Sequence, residues 1–314
     1  MQARGSKAQV LIDFETVFNT LNTTPAAIKL PVHSSKLQSK QNMVESTLIT
    51  GSRNATAPGF GNINVSGSIE VPVDQIYMGY ILKALLGAPV TTGSAAPYTH
   101  VFKMSDTQPS LTIENGFTDI GVYNVYTGCK INKFAISFGG DGELKCSLNF
   151  LGCKEIIGNA SIDATPTSYS LKRFGNFQAT LKEGGANVAV ATSVDTSIDT
   201  GLDGDTYVLG GGGFRQSINE GVANISGTIK AFFENLTLLN KAINGTESSV
   251  EIKLAKLTNS LTFLYPEVIY ERNSPGIDGP KGVSIDLPYR AYYDDSAEGS
   301  SLIVTLVNDH PSYV

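Results

Sequence analysis

The chain has 314 residues, a net charge of −6 at pH 7, 41% apolar and 17% charged residues, 32 glycines and no tryptophan. That length allows about two domains, each able to bury a core. The acid excess and the lack of any Lys/Arg run exclude a protein built to grip phosphates, which needs clustered cations. The polar residues are mostly uncharged Ser, Thr and Asn, which suit strands and turns better than surface helices, so the chain reads as mainly β.

Residues 1–45 read as an extended N-terminal arm, because apolar periodicity is sparse and Thr23-Thr24-Pro25 and Leu30-Pro31 break it. No secretory signal is visible in Met1 to Asn19, and no stretch reaches the 18 consecutive apolar residues of a membrane helix. A first unit is expected over 46–157 and a second over 158–314. The basis is an internal repeat, in which Asn64-Val65-Ser66-Gly67-Ser68-Ile69 returns as Asn224-Ile225-Ser226-Gly227-Thr228-Ile229.

Both copies run on into a short apolar stretch, an acidic residue (Asp74, Glu234) and a helical pattern. Ile76, Tyr80, Leu82, Leu85 and Leu86 form the first apolar face, with Asp74 as N-cap; Leu236, Leu239 and Ile243 form the second. Gly87 and Gly245 stand where a helix end accepts a left-handed residue.

Strands are expected after each helix. In the first copy they cover 99–103, 110–117, 130–138 and 143–151, with Gly139-Gly140-Asp141-Gly142 as a hairpin turn. In the second they cover 249–254, 260–270, 282–293 and 301–307, and Ser110-Leu111-Thr112 is echoed by Ser260-Leu261-Thr262. Two further strands fall in 174–181 and 188–196, and the glycine-rich stretch 199–213 reads as a mobile loop.

A search for chemistry returns little. His33, His100 and His310 have no partner at a metal-ligand spacing, and neither GxSxG nor GxxxxGK[ST] occurs. Gly210 to Gly213 lacks the Lys-Ser/Thr of a phosphate loop. Asp195, Asp199, Asp203 and Asp205 match a calcium loop only in part and read as a solvated acidic segment. Cys129, Cys146 and Cys153 lack CxxC spacing and read as reduced thiols, with a Cys129–Cys146 bridge as the alternative. No catalytic, cofactor or metal site is expected; the duplicated motif residues Val65, Ser66, Gly67, Ile69, Ile225, Ser226, Gly227 and Ile229 are the candidates, for oligomer and helix packing.

The segment Ser46 to Arg53, the Gly61 to Ile69 run and the helix after it resemble the tail tube proteins of long-tailed bacteriophages. Asn224 to Gly227, Leu264-Tyr265-Pro266-Glu267-Val268, Ala291-Tyr292-Tyr293-Asp294 and Thr305 to Asp309 extend the likeness through the second half. The resemblance implies two tandem β-sandwich or barrel-like tube domains, each with a flanking helix. It implies a structural subunit of the virion tail, assembled in the host bacterial cytoplasm, and no cofactor. Copies would join edge to edge into a ring, as a trimer with pseudo-sixfold symmetry or a hexamer. Rings would stack into a conduit for DNA ejection, with a tape measure protein and tail-end proteins as partners. The loops near 90–97, 199–213 and 273–281 and the arm are candidates for ring-to-ring contacts. Two readings compete: a carbohydrate-binding β-module using Tyr289, Tyr292 and Tyr293, and a β-rich hydrolase.

Overall fold

The computed structural model describes residues 2–277, 279–294 and 296–313. The first half contains β1 (Ala8–Phe14), β2 (Ile28–Leu30), β3 (Ser34–Ser35), β4 (Gln38–Val44), β5 (Gly59–Pro72) and helix α1 (Tyr77–Leu86). It continues with β6 (Val90–Thr92), β7 (Tyr98–Lys103), β8 (Leu111–Phe117), β9 (Val122–Gly139), β10 (Lys145–Gly152) and β11 (Lys154–Gly158). The second half has β12 (Ala179–Glu183), β13 (Ala186–Asn187), β14 (Ala191–Asp199), β15 (Asn224–Phe232) and helix α2 (Thr237–Asn244). It ends with β16 (Ser248–Lys256), β17 (Asn259–Tyr270), β18 (Ser284–Tyr292) and β19 (Ile303–Asn308).

The protein is mainly β, with every ladder between these strands antiparallel. Period-two patterning explains most of it. Cys146, Leu148 and Phe150 of β10 and Ile285, Leu287 and Tyr289 of β18 point into the core, while their neighbours face out.

One pairing scheme occurs twice. β1·β8, β8·β9, β9·β10, β9·β11, β10·β5 and β5·β4 in the first half match β12·β16, β16·β17, β17·β18, β17·β19, β18·β15 and β15·β14 in the second. The long strand β9 serves two sheets, because its two ends carry different partners, and β17 likewise takes β19 at one end and β18 at the other. In this scheme β17 corresponds to β9 and β16 to β8, so the echo of Ser110–Thr112 in Ser260–Thr262 is not a structural equivalence. The halves join where β9 pairs with β14, Lys133 opposite Asp199 through Gly139 opposite Ser193. One continuous sheet results, in the order β4-β5-β10-β9-β14-β15-β18-β17. A second link pairs β7 of the first half with β19 of the second.

The arm needs correction. β1 is paired along its whole length with β8, and Val10, Leu11 and Ile12 are buried. This strand is covered on both faces, so its apolar residues are consecutive and show no alternation. The stretches before β1 and between β1 and β2, and β4 with the residues after it, keep the exposure expected of an arm. The loop after β14 is not loose either. Arg215 is buried, and its guanidinium donates to Val65 O at 3.0 Å, Gly152 O at 2.9 Å and Asn64 Oδ1 at 2.6 Å, all in the first half. Lys130 of β9 binds Glu220 at 2.6 Å and Ile218 O at 2.9 Å from the same loop.

The helix ends and the buried face of α1 follow the sequence signals, but the expected face of α2 does not: Leu236 precedes the helix and it and Ile243 are exposed, leaving Leu239 and Ala242 buried. Asp74 Oδ1 accepts from the Ile76 and Tyr77 amides at 2.8 and 3.1 Å, and Asn235 rather than Glu234 accepts from Thr237 N at 2.9 Å. The Gly87 and Gly245 amides close the helices on Lys83 O and Lys241 O. Asp74 is fully buried, and its other oxygen takes the Lys172 amide, tying the inter-half linker to α1. Replacing Asp74 by Ala strands these amides, and the expected loss is about 3 kcal/mol of stability, read as a lower melting temperature by circular dichroism.

Candidate polar face of the long sheet

The outward face of the continuous sheet carries registered rows of mostly short, uncharged side chains interspersed with charged ones. Glu70, Ser147, Ala135, Ser197, Ser226 and Arg290 stand opposite one another across six strands. Ser137, Asp195, Thr228 and Pro288 form the next row, and Ser68, Asn149, Lys133, Asp199 and Asn224 another. These rows surround a shallow concavity of about 670 Å³. The row residues β-alternate with the core, so the same strands that bury Phe134, Ile136 and Phe138 are obliged to present Lys133, Ala135 and Ser137 outward.

Charges on this face are matched. Lys145 lies 3.4 Å from Glu70, Lys230 3.9 Å from Asp286 and Arg290 3.1 Å from Glu271, and Lys133 faces Asp199 across the ladder. Ser137 donates to Asp195. Such exposed pairs contribute up to about 1 kcal/mol each to stability. Their greater effect is on the field, since Lys145, Lys230 and Arg290 each have an acid within reach.

The duplicated motif divides between this face and the layer behind it. Val65, Ile69, Ile225 and Ile229 are buried in the core, whereas Ser66 and Ser226 stand on the polar face. Gly67 and Gly227 sit where a neighbouring strand crosses closely. A Cβ on Gly67 would overlap Lys36 O, and one on Gly227 would overlap Asp195 O and the Tyr289 ring.

Among the described residues no group of three or more His, Cys, Asp or Glu is placed to hold a metal ion. The cysteines are free and buried, and burial pushes the Cys146 thiol up to about 12. The three tyrosines do not share a platform. Tyr289 is a core residue whose hydroxyl meets Thr196 Oγ1 at 2.8 Å, Tyr292 is bonded to Glu247, and Tyr293 is half exposed. No helix is long and apolar enough to cross a membrane among the described residues.

The joint between the halves holds a histidine cluster that the sequence did not mark. His100 of β7 is fully buried. Its Nε2 faces His310 O at 2.9 Å and Asn308 Oδ1 at 3.2 Å, both acceptors, so Nε2 carries the proton and Nδ1 accepts from Thr91 Oγ1 at 2.8 Å. Tyr313 packs edge-on to His100 at 4.7 Å and bonds Asn308 Nδ2 at 2.7 Å and Ile76 O at 2.9 Å. Gly79 of α1 leaves room for its ring. His310 reaches Tyr80 Oη at 3.1 Å. Burial pulls both histidines below their ordinary pKa, and His310 is lowered further by His100.

A large antiparallel sheet with open edges, one apolar side and one polar, charge-matched side defines a structural β-protein of the self-associating kind. Residues 5–291 match the family model described as phage tail tube protein, and the chain belongs to that family. Membership implies a structural part in the virion tail and self-assembly into a tube. No curated protein matches the chain by sequence.

The histidine cluster sets a pH dependence. Both folded pKa values lie below the unfolded value of about 6.5, so the unfolded state binds more protons in that window and stability falls as pH drops below it. Melting temperature should fall between pH 7.5 and pH 5, and the fall should be smaller in a His100→Gln variant.

Proposed function

We propose that the chain forms threefold rings in which each copy supplies two tandem tube units, so that three copies close a ring with pseudo-sixfold symmetry. Rings stack into a hollow tail tube, and DNA leaves the virion through it. The observation that carries this reading is the β9·β14 ladder, where two units of like pairing scheme are already joined edge to edge within one chain. The polar face of the continuous sheet lines the bore. Before ejection the bore is occupied by a tape measure protein, tail-end proteins close the tube, and assembly takes place in the host cytoplasm.

DNA passage asks the wall not to bind. Phosphate binding draws its free energy from cations that displace condensed counterions. The Ser, Thr and Ala positions of the rows supply none, and Lys145, Lys230 and Arg290 on the same face are paired with carboxylates. The chain's net charge of −6 repels the duplex. The wall is made of rigid ladder strands, with short side chains that offer few hydrogen bonds to a moving strand.

Purified protein should yield annular particles with threefold symmetry, and stacked tubes, by negative-stain microscopy. A monodisperse monomer at high concentration across all salts would overturn the reading. Replacing Ser147, Ser197 and Ser226 together by Lys should convert a non-binding ring into one that retains DNA at about 50 mM salt and releases it above about 200 mM, measured by filter binding.

A further inference from the structure

We infer that the contact between copies is a specific strand pairing, in which the β3–β4 edge (34–40) of one copy adds to segment 271–277 of the next, repeating between chains the β9·β14 ladder found within each chain. This rests on the self-assembly reading above and names the surfaces that carry it.

The internal ladder provides the template. On one side, β14 lies against β15 with Val194 opposite Ile229 and Ile198 opposite Ile225. β3 and β4 stand in the same relation to β5, with Ser35 opposite Ile69 and Ser39 opposite Val65. The close crossings agree as well, Lys36 O over Gly67 and Asp195 O over Gly227. The outer edge of β14 is covered by β9, whereas among the described residues β3 and β4 form a ladder only with β5, and Leu37 O between them accepts from Asn115 Nδ2 at 3.1 Å. Lys36, Gln38 and Lys40 are exposed there.

On the other side, β9 and β10 form a hairpin with Phe150 opposite Ile131, and β17 and β18 form one with Tyr289 opposite Tyr270. Phe150 and Tyr289 are counterparts, since they face Gly67 and Gly227 of the repeated motif. Past that point β9 continues as Lys133–Gly139 and is covered by β14. The chain after β17 starts the same course. Glu271 N donates to Pro288 O at 2.8 Å, and Asn273 Nδ2 to Asp286 O at 3.0 Å. The two legs then part around an open space of about 390 Å³ between 273–276 and 281–286, and no strand pairs with 271–277. An extended segment with an unpaired edge is held in ladder geometry only by a partner strand.

Charge selects the register. In the internal ladder Lys133 is opposite Asp199. Asp199 is opposite Asn224, and its counterpart Lys40 is opposite Asn64, the first residue of each motif copy. Lys133 is opposite Asn149, and its counterpart Glu271 bonds Pro288; Asn149 and Pro288 face Ser68 and Thr228 of the motif. The equivalent pair between chains is therefore Glu271 with Lys40, opposite charges in the same ladder position with their order reversed. The two surfaces differ, so the contact is head-to-tail and closes a ring when the rotation between copies divides the circle.

The test uses the full chain. A Lys40→Cys, Glu271→Cys double variant, mildly oxidised, should give covalent dimers and trimers on a non-reducing gel that collapse to monomer on reduction, with no bands beyond trimer for isolated rings. The single cysteine variants should give no trimer. Lys40→Glu alone should raise the concentration for half-maximal ring formation by at least about tenfold, and Lys40→Glu with Glu271→Lys should restore it. Rings that form normally with Lys40→Glu, and that leave the double cysteine variant unlinked, would overturn this seam while leaving the tube reading intact. A wild-type chain that forms no ring would remove both.

Discussion

A strand edge carries backbone N–H and C=O groups that must be bonded somewhere, and this requirement organises the whole molecule. Within the chain it is met by folding two units of one pairing scheme side by side and letting β9 of the first cover β14 of the second. The result is a sheet eight strands wide whose interior edges are all satisfied and whose terminal edges, β4 and the chain beyond β17, are not. A tube built from such sheets has no free edge once it closes. The same hydrogen bonds then serve folding and assembly.

Strand alternation couples that sheet to its two environments. Each strand that contributes Phe, Ile, Leu or Tyr to the core must turn its intervening residues the other way, and those residues are Ser, Thr, Ala, Asn and paired charges. The polar side is the reverse of a well-packed core, so its geometry is as rigid as the core itself. Gly67 and Gly227 allow the neighbouring strand to cross closely at the centre of each unit, where any side chain would push the ladder apart.

The two halves are locked by groups far from that ladder. Arg215 binds three acceptors of the first half, Asp74 holds the Lys172 amide, and Tyr313 fills the space above Gly79 beside His100. Each lock is a buried polar group whose partners come from the other half or the linker, so separating the halves leaves unsatisfied donors and acceptors. The angle between units is thereby held, and a fixed angle is what allows a small number of copies to close a ring.

Much of this was legible in the residues. The alternation of Leu144 to Phe150, the apolar face of α1, the Asp74 cap, the glycine turn at 139–142 and the Val-Ser-Gly motif mark their elements because each signal is local, spanning a few residues whose chemistry suits one backbone geometry. β1 was hidden because burial on both faces erases alternation, and the pinning of the loop by Arg215 was hidden because a buried arginine and a surface one look alike until their acceptors are placed. The sequence by itself marked the two helices and the alternating strands such as β10 and β18, and which side chains of those strands share a face. Only the tertiary structure decided which edges meet, that β9 takes β14 and that Ser147, Ser197 and Ser226 fall in one row, because edge pairing depends on backbone groups that every residue carries and no side chain announces.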